Sequence, residues 1–323
     1  MAEATLTRAA SEYYLSDGAD ASVSAGEVWL LPSGEVGVYP AGKPAVSSGA
    51  KIVYETTGKF TFPKSTSTAL LAGGRAYWDV SASEVTYKPV NDGDYYLGLV
   101  VEDVVAADAQ VVVDINKKPK YKIDLQTSPF NTILVGTPAA GGFGYPVRLG
   151  GRHVLELTAT NESQKVDLLS VQGVDLSRNP IVEFIFSVMS DGSNATQDFS
   201  IGLASGTHAS DFQTITSFVA VSTVGNSTNI NVQSDDNSAD VAPTDTTYDY
   251  TEGTGVTSLV EGWLDFRNPA DVKAYINGVI TAVATLTAGT SGTHYLIAHL
   301  EKSSSTDVYK VGVDRLCARV MEQ

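Results

Sequence analysis

Hydrophobic and polar residues alternate with a period of two along most of the chain, whereas helical periodicity is hard to find. The run KFTFP at 59–63 and the run VKAYI at 272–276 are examples in which alternate side chains point to opposite faces of an extended backbone. Val, Thr, Ser, Gly, Tyr and Asp are abundant, and this mixture favours strands and turns. The pattern therefore predicts an all-β protein.

The alternating runs between residues 23 and 116 are short, and turn signals separate them. The clearest signals are Thr57 followed by Gly58 and the polar run NDGD at 91–94. Many short strands at this spacing predict a small β-barrel or sandwich. Residues 1–22 before it are polar and uneven, and we interpret them as an extended N-terminal arm.

Residues 117–152 change in character. The basic cluster KKPKYK is followed by Pro129, Pro138 and Pro146 and by the run AAGG at 139–142. Proline and glycine at this density indicate a connecting segment without a core of its own, so we predict a linker over 117–152.

The alternating runs lengthen from His153 onwards, and about ten of them are separated by polar loops. Strands of this number and length predict a larger antiparallel jelly-roll sandwich over 153–323. Within it, Asn277 and Gly278 divide one alternating run, and this dipeptide is the strongest short-range signal for a two-residue β-hairpin turn.

The charge and composition of the 323-residue chain limit its partners. A net charge of −16 repels nucleic acid and anionic lipid, so we expect no nucleic-acid or membrane partner. No apolar run reaches the roughly 18 residues that a membrane helix needs. The first residues lack the apolar segment of a signal peptide, so we expect synthesis in a host cytoplasm. Cys317 is the single cysteine, which excludes an intrachain disulfide.

Glycosidase chemistry is the first activity to test, because it needs two carboxylates about 5 to 9.5 Å apart. On one strand this requires acidic residues at positions i and i+2. The pair that fits is Asp92 and Asp94, which lies in a turn. Glu261 and Asp265 share a face, but strand rise separates them by roughly 13 Å. The sequence therefore gives no support to a glycosidase.

Other catalytic and metal-binding patterns are also missing. The chain contains no G-x-S-x-G elbow, and His153, His208, His294 and His299 lack metal-type spacing, so surface or core positions are the simpler interpretation. Asp235, Asp236, Asn237 and Asp240 could gather around calcium, but their spacing does not match an EF-hand loop. We therefore predict no enzyme, no catalytic residue, no cofactor and no metal site.

Four short motifs in the first third of the chain occur in an order that resembles a known family. They are Gly37 with Val38, the run GKFTFP at 58–63, the run GRAYWD at 74–79 and the run GLVVEDVVA at 98–106. This order and spacing resemble the capsid decoration or cement proteins of tailed phages. The second half, with its runs QDFSIGLASGTHASDF and EGWLDFRNPADVKAYINGV, resembles concanavalin-like jelly-roll domains appended to some phage capsid proteins.

The resemblance implies a structural virion protein that decorates and stabilises the mature phage capsid from its outer surface. It implies two partners, the major capsid protein and further copies of this chain, with a homotrimer favoured over a dimer. The arm could add a strand to the capsid protein, and six of its residues are the predicted contacts: Thr5, Leu6, Thr7, Arg8, Tyr13 and Tyr14. The alternative is a virion-displayed, lectin-like protein that contacts host glycans through 153–323.

Overall fold

The computed structural model describes residues 5–6, 13–16, 22–138, 143–144, 152–192, 197–209, 211–289 and 292–320. The chain divides into two compact units, Met1–Pro119 and Lys120–Gln323. Within the described residues the regular structure is extended strand apart from three single-turn 3-10 helices, at Leu176–Arg178, Phe212–Thr214 and Val256–Ser258. The strand ladders are antiparallel, which confirms the predicted all-β class. No described helix is long and apolar enough to cross a membrane.

The first unit contains two sheets. Its strands are β1 (Thr5–Leu6), β2 (Tyr13–Ser16), β3 (Val28–Leu30), β4 (Val36–Val38), β5 (Ile52–Glu55), β6 (Lys59–Pro63), β7 (Arg75–Asp79), β8 (Glu84–Thr86), β9 (Tyr95–Val100) and β10 (Gln110–Ile115). A six-stranded sheet has the order β1-β6-β10-β9-β7-β8, and a four-stranded sheet has the order β2-β5-β4-β3.

The core of the first unit follows from the alternation in its strands. In β6 the buried positions are Phe60 and Phe62, which alternate with half-buried neighbours. Phe62 packs against Trp78 of β7 with ring centroids 5.9 Å apart, and both side chains belong to the main cluster of this unit. Burying aromatic side chains of this size removes much apolar surface from water, which stabilises the unit.

The second unit contains two larger sheets. Its strands are β11 (Ile123–Asp124), β12 (Phe130–Val135), β13 (Phe143–Gly144), β14 (Arg152–Leu157), β15 (Glu162–Ser170), β16 (Pro180–Ser190), β17 (Gln197–Ala204), β18 (Phe218–Val224), β19 (Asn229–Asp235), β20 (Asp240–Asp249), β21 (Val260–Asp265), β22 (Val272–Ile276), β23 (Val279–Leu286), β24 (Tyr295–Ser305) and β25 (Tyr309–Val320). One sheet has the order β13-β14-β25-β16-β21-β22-β23, with β11 also paired to β25. The other has the order β12-β15-β24-β17-β18-β19-β20.

These two sheets face each other across one apolar core, which confirms the predicted antiparallel sandwich of jelly-roll type. Phe184 and Phe186 of β16 come from the eight-stranded sheet, and Phe199 of β17 comes from the seven-stranded sheet. Phe186 and Phe199 meet with ring centroids 5.1 Å apart. Because side chains alternate along a strand, the residues between these core positions lie on the outer face of each sheet.

Part of the predicted linker over 117–152 forms strands of the second unit. Strand β11 pairs with β25, and β12 pairs with β15 along six residue pairs. Ile123 and Leu125 are buried in the sandwich core. Pro129 directly precedes β12, and Pro138 follows its end by three residues. The segments between the prolines nevertheless find partners in strands that lie far away in sequence.

The predicted arm differs from the structure in a similar way. Its described residues form β1 and β2, which pair with β6 and β5 of the same unit. The predicted hairpin is confirmed, because β22 and β23 are joined by Asn277 and Gly278 alone. Both residues have positive φ, 51° and 79°, as a two-residue turn matched to strand twist requires.

Candidate functional site

The structure separates the six predicted capsid contacts. Thr5 and Leu6 form β1, the edge strand of the six-stranded sheet, opposite Thr61 and Phe60. Tyr13 and Tyr14 lie in β2, the edge strand of the four-stranded sheet. Thr7 and Arg8 lie outside the described residues. The described contacts therefore belong to two sheet edges, and their role in binding a capsid stays a prediction.

A second group of polar residues lies on the outer face of the seven-stranded sheet, and the sequence reasoning missed it. Two successive rows cross the neighbouring strands β17, β24 and β15. In the first row, Glu301 of β24 lies opposite Asp198 of β17 and Lys165 of β15. In the second row, His299 of β24 lies opposite Ser200 of β17 and Asp167 of β15. Their side chains project from the same face, because residues two apart on a strand point the same way.

His299 occupies the centre of this group. Its Nδ1 lies 2.6 Å from Oδ1 of Asp167, and its Nε2 lies 3.1 Å from Oε2 of Glu301. Burial alone would lower the pKa of the imidazole, but hydrogen bonds and charge from both carboxylates raise the pKa of His299 to about 9. A ring with carboxylates at both nitrogens is held as the imidazolium cation at neutral pH.

Lys165 completes the ionic group. Its Nζ lies 2.9 Å from Oδ2 of Asp167 and donates hydrogen bonds to Thr207 Oγ1 at 3.0 Å and to the His208 carbonyl at 2.6 Å. Thr207 Oγ1 also donates to Asp167 Oδ2. Burial would raise the pKa of Asp167, but these donors and His299 hold it below its usual value. Two cations and two carboxylates are therefore matched within the group.

Phe212 closes the group from one side. Its backbone N–H donates to Glu301 Oε1 at 3.0 Å, and its ring lies 5.4 Å from the His299 ring, centroid to centroid. The His299 side chain is fully buried. The ring is enclosed and has a carboxylate oxygen close to each nitrogen, so neither nitrogen is open to a substrate in this structure.

Asp198 is the carboxylate that these cations do not match. Burial, the charge of Glu301 and the charge of Asp211 raise the pKa of Asp198 to about 7. It lines a small pocket together with Ser200, Phe212, Gln213, Ser222, Val224, Gln233, Pro243 and Glu301. This pocket has room for about one water molecule, so it does not accommodate a sugar ring.

Asp198 and Glu301 form an acidic pair that could not be found from the sequence. The search for glycosidase carboxylates compared residues two positions apart on one strand, whereas these two residues lie opposite each other on the neighbouring strands β17 and β24. Opposite residues in an antiparallel pair have Cβ atoms about 5 Å apart, a separation that the chemistry allows. Glu301 is held by Phe212 and His299, however, and the pocket is too small for a glycoside.

The other acidic residues considered from the sequence are engaged locally. Glu261 lies 3.3 Å from Arg315, and Asp265 lies 2.6 Å from Arg267. Asp94 accepts hydrogen bonds from the backbone N–H groups of residues 80, 90 and 91, and so shapes a turn.

The acidic loop at 235–240 is organised by its own backbone. Asp235 Oδ1 accepts from Asn237 N at 2.6 Å, and Asp236 Oδ1 accepts from Ser238 N at 2.9 Å. These are the bonds of tight turns. In the parts of the chain that the structure describes, no group of three or more His, Cys, Asp or Glu residues has a metal-binding arrangement.

Comparison with protein families gives a match for the first unit. Residues 15–115 match the family model of the phage cement protein. The match confirms the resemblance inferred from the sequence motifs, since it includes all four of them. A region of phage cement type is characteristic of a structural phage protein, and the second unit lies outside the matched residues. Comparison with curated proteins gave no match.

The solved structures with similar folds include both binding domains and enzymes. The carbohydrate recognition domain of Emp47p has a TM-score of 0.41 and 13% identity, covering 62% of this chain and 94% of that chain. A β-glucanase of Bacillus licheniformis has a TM-score of 0.41 and 12% identity, covering 62% and 98%. A carbohydrate esterase from the Shiga toxin-encoding bacteriophage phi24B has a TM-score of 0.36 and 14% identity, covering 59% and 90%. Similarities of this size transfer no property of those proteins to this chain.

Proposed function

We propose that this chain is a structural virion protein that binds the outer surface of a mature phage capsid and stabilises it. The match of residues 15–115 to the phage cement protein family carries this proposal. A protein that binds the expanded shell more tightly than other states of the shell stabilises it by mass action. Repetition of one contact over many sites, made by a trimer or a dimer, adds avidity.

The charge of the chain supports an exterior location. A net charge of −16 is repelled by packaged nucleic acid, whereas it keeps an exposed protein soluble on a crowded particle surface. An acidic protein inside the shell would have to overcome this repulsion at every site. We therefore propose that the chain is made in the host cytoplasm and then binds the exterior of the capsid.

The edges of the first unit are the surfaces we propose for capsid binding. Strands β1 and β2 each end a sheet, so the outer side of each presents backbone N–H and C=O groups that another strand can pair with. In this proposal, the contacts are Thr5, Leu6, Thr7, Arg8, Tyr13 and Tyr14. Backbone pairing would supply affinity, and the side chains would supply specificity for the major capsid protein.

We propose a binding function without catalysis. His299 of the second unit is engaged with Asp167 and Glu301, and Asp198 beside them lines a pocket too small for a sugar ring. The lectin-like alternative gains no support from the pocket at Asp198, because that pocket is smaller than a sugar ring. A glycan contact elsewhere on 153–323 would show in the binding experiment below.

Cryo-microscopy of purified particles tests the location. We expect density for this chain on the outside of the shell, in symmetric clusters where capsomers meet. Density confined to the tail, or none on the particle, would overturn the proposal. Glycan-array binding of the purified chain, with no affinity for shells, would instead favour the lectin-like alternative.

Add-back to stripped shells tests the mechanism and the edge contact. Shells without the chain are mixed with the full chain, and their melting is followed by calorimetry. We expect the melting temperature to rise with concentration up to saturation. Thr5→Pro with Leu6→Pro removes two N–H donors and should weaken binding, whereas the matched Thr5→Ala with Leu6→Ala should retain it. Unfolding of each free variant shows whether the first unit itself has been lost.

A further inference from the structure

The pocket at Asp198 is lined by oxygen atoms that lack partners. In the described residues, Asp198 Oδ1, Ser222 Oγ and Gln233 Oε1 have no hydrogen-bond partner. Ser222 and Gln233 are each only 2% exposed. All three line the same pocket. Leaving such groups unsatisfied costs about 1 to 3 kcal/mol each, so three of them together indicate an occupant.

The orientation of Gln233 makes the pocket a site of acceptors. Its Nε2 donates to Ser200 Oγ at 3.0 Å, and this bond turns the carbonyl oxygen Oε1 away from Ser200. A carboxylate oxygen and an amide oxygen offer lone pairs only, while the Ser222 hydroxyl can also accept. The occupant must therefore supply positive charge or donated protons.

The charge around the pocket is also unbalanced. Lys165 and His299 match Asp167 and Glu301, so Asp198 contributes one surplus negative charge on a largely buried face. Asp211 adds further negative potential. A single positive charge beside Asp198 would remove this imbalance, whereas a neutral water would not.

We propose that this pocket binds one alkali-metal cation, with Asp198, Gln233 and Ser222 as its oxygen ligands. Hard cations take oxygen ligands such as carboxylates and amide carbonyls, and the pocket lacks a single positive charge. The site lies on the outer face of strands β17, β18 and β19, and its ligands come from one strand each. It is independent of the capsid contact proposed for the first unit.

Thermal unfolding of the full chain tests the proposal. The chain is unfolded at pH 8 in KCl, NaCl or choline chloride at equal ionic strength, because choline is too large for the pocket. We expect the unfolding midpoint of the second unit to rise by about 3 to 6 °C in KCl or NaCl when the salt exceeds the dissociation constant tenfold. The larger of the two shifts identifies the preferred ion.

Variants identify the ligands. Asp198→Asn should abolish the difference between KCl or NaCl and choline chloride, and Ser222→Ala should reduce it. Asp240→Asn makes the same charge change at an exposed position and should leave the difference intact. The comparison between salts is made within each variant, so a change in intrinsic stability does not obscure it.

Two results would overturn the proposal. Equal midpoints in all three salts for the natural chain would show that no cation binds there. An unfolding midpoint that depends on pH near 7 but not on the cation, and that loses this dependence in Asp198→Asn, would show that the pocket takes up a proton instead.

A crystallographic experiment would locate the ion directly. We expect an anomalous-scattering peak beside Asp198 in crystals soaked in rubidium chloride.

Discussion

The two outer faces of the sandwich handle buried charge differently. We call the outer face of the eight-stranded sheet the arginine face. There, Glu183 lies 2.6 Å from Arg319, and three further pairs join arginines to carboxylates: Arg152 with Asp314, Arg315 with Glu261 and Arg267 with Asp265. Each of these carboxylates has an arginine, so the charges are matched.

The outer face of the seven-stranded sheet, the histidine face, is built on Lys165 and His299. These two cations match Asp167 and Glu301, but Asp198 is left over and keeps a pKa of about 7. Arginine stays charged at any pH that a protein experiences, whereas histidine and a perturbed aspartate titrate near neutrality. The comparison teaches that each carboxylate of the arginine face has a partner that stays charged, whereas the histidine face depends on a histidine and an aspartate that titrate.

The largest expected effect is at the centre of the arginine face. Burial would raise the pKa of Glu183, but Arg319 and Arg315 hold it below its usual value. Glu183→Gln leaves Arg319 without its buried carboxylate partner, so we expect a loss of about 3 to 5 kcal/mol in the free energy of unfolding. Urea unfolding of the full chain measures it.

Glu156→Gln is the matched control for that variant. Glu156 forms a 2.8 Å ion pair with Lys310 on the same sheet, but both side chains are about one-third exposed. We expect a loss below about 1 kcal/mol, as for other surface pairs. Equal losses in the two variants would contradict the view that the arginine face depends on buried pairing.

Removal of the surplus charge on the histidine face should stabilise the protein. Because the pKa of Asp198 rises from 3.8 to about 7, its stabilising contribution is present below pH 3.8 and is lost as the pH rises through 7. At pH 8 in choline chloride we expect Asp198→Asn to gain up to about 4 kcal/mol. A variant less stable than the natural chain at this pH would refute the prediction.

The imidazolium gives the next effect, in the alkaline range. The pKa of His299 rises from 6.5 to about 9, so its contribution is complete below pH 6.5 and is lost as the pH rises through 9. We expect the free energy of unfolding to fall by about 3 kcal/mol across this range. Measurement in the Asp198→Asn background isolates the histidine, and a flat profile there would exclude a charged His299.

The smallest effect concerns the hydroxyl between Lys165 and Asp167. Thr207→Val keeps the shape of the side chain but removes the hydroxyl that accepts from Lys165 and donates to Asp167. We expect a loss of about 1 to 3 kcal/mol, at the lower end if water replaces the hydroxyl. Thr214→Val, at an exposed hydroxyl on the same side of the sheet, is the control and should change little.

Local sequence signals were sufficient for the class of fold and for one turn. Alternation in runs such as 59–63 predicted strands, and Asn277 with Gly278 predicted the hairpin that joins β22 and β23. Over 117–152 proline density suggested a linker, part of which forms strands. Sequence spacing cannot show that β12 pairs with β15 or that β11 pairs with β25, because these pairings depend on packing between residues that are distant in the sequence.

The polar group on the histidine face was hidden for the same reason. Asp198 and Glu301 are opposite one another in space, yet more than a hundred positions separate them in the chain. The sequence predicted a surface or core position for His299, and the structure gives it a fully buried side chain between two carboxylates. The sequence could not show that Asp167 and Glu301 lie next to the two ring nitrogens of His299.

The position of β25 has a consequence for synthesis of the chain. Tyr309–Val320 lies inside its sheet, between β14 and β16, although it is the last of the described strands in sequence order. A nascent chain that stops before residue 309 leaves β14 and β16 apart, with a gap where ten of the residue pairs of β16 should form. The sandwich therefore cannot close until translation has passed this strand, which excludes prematurely ended chains from the folded population.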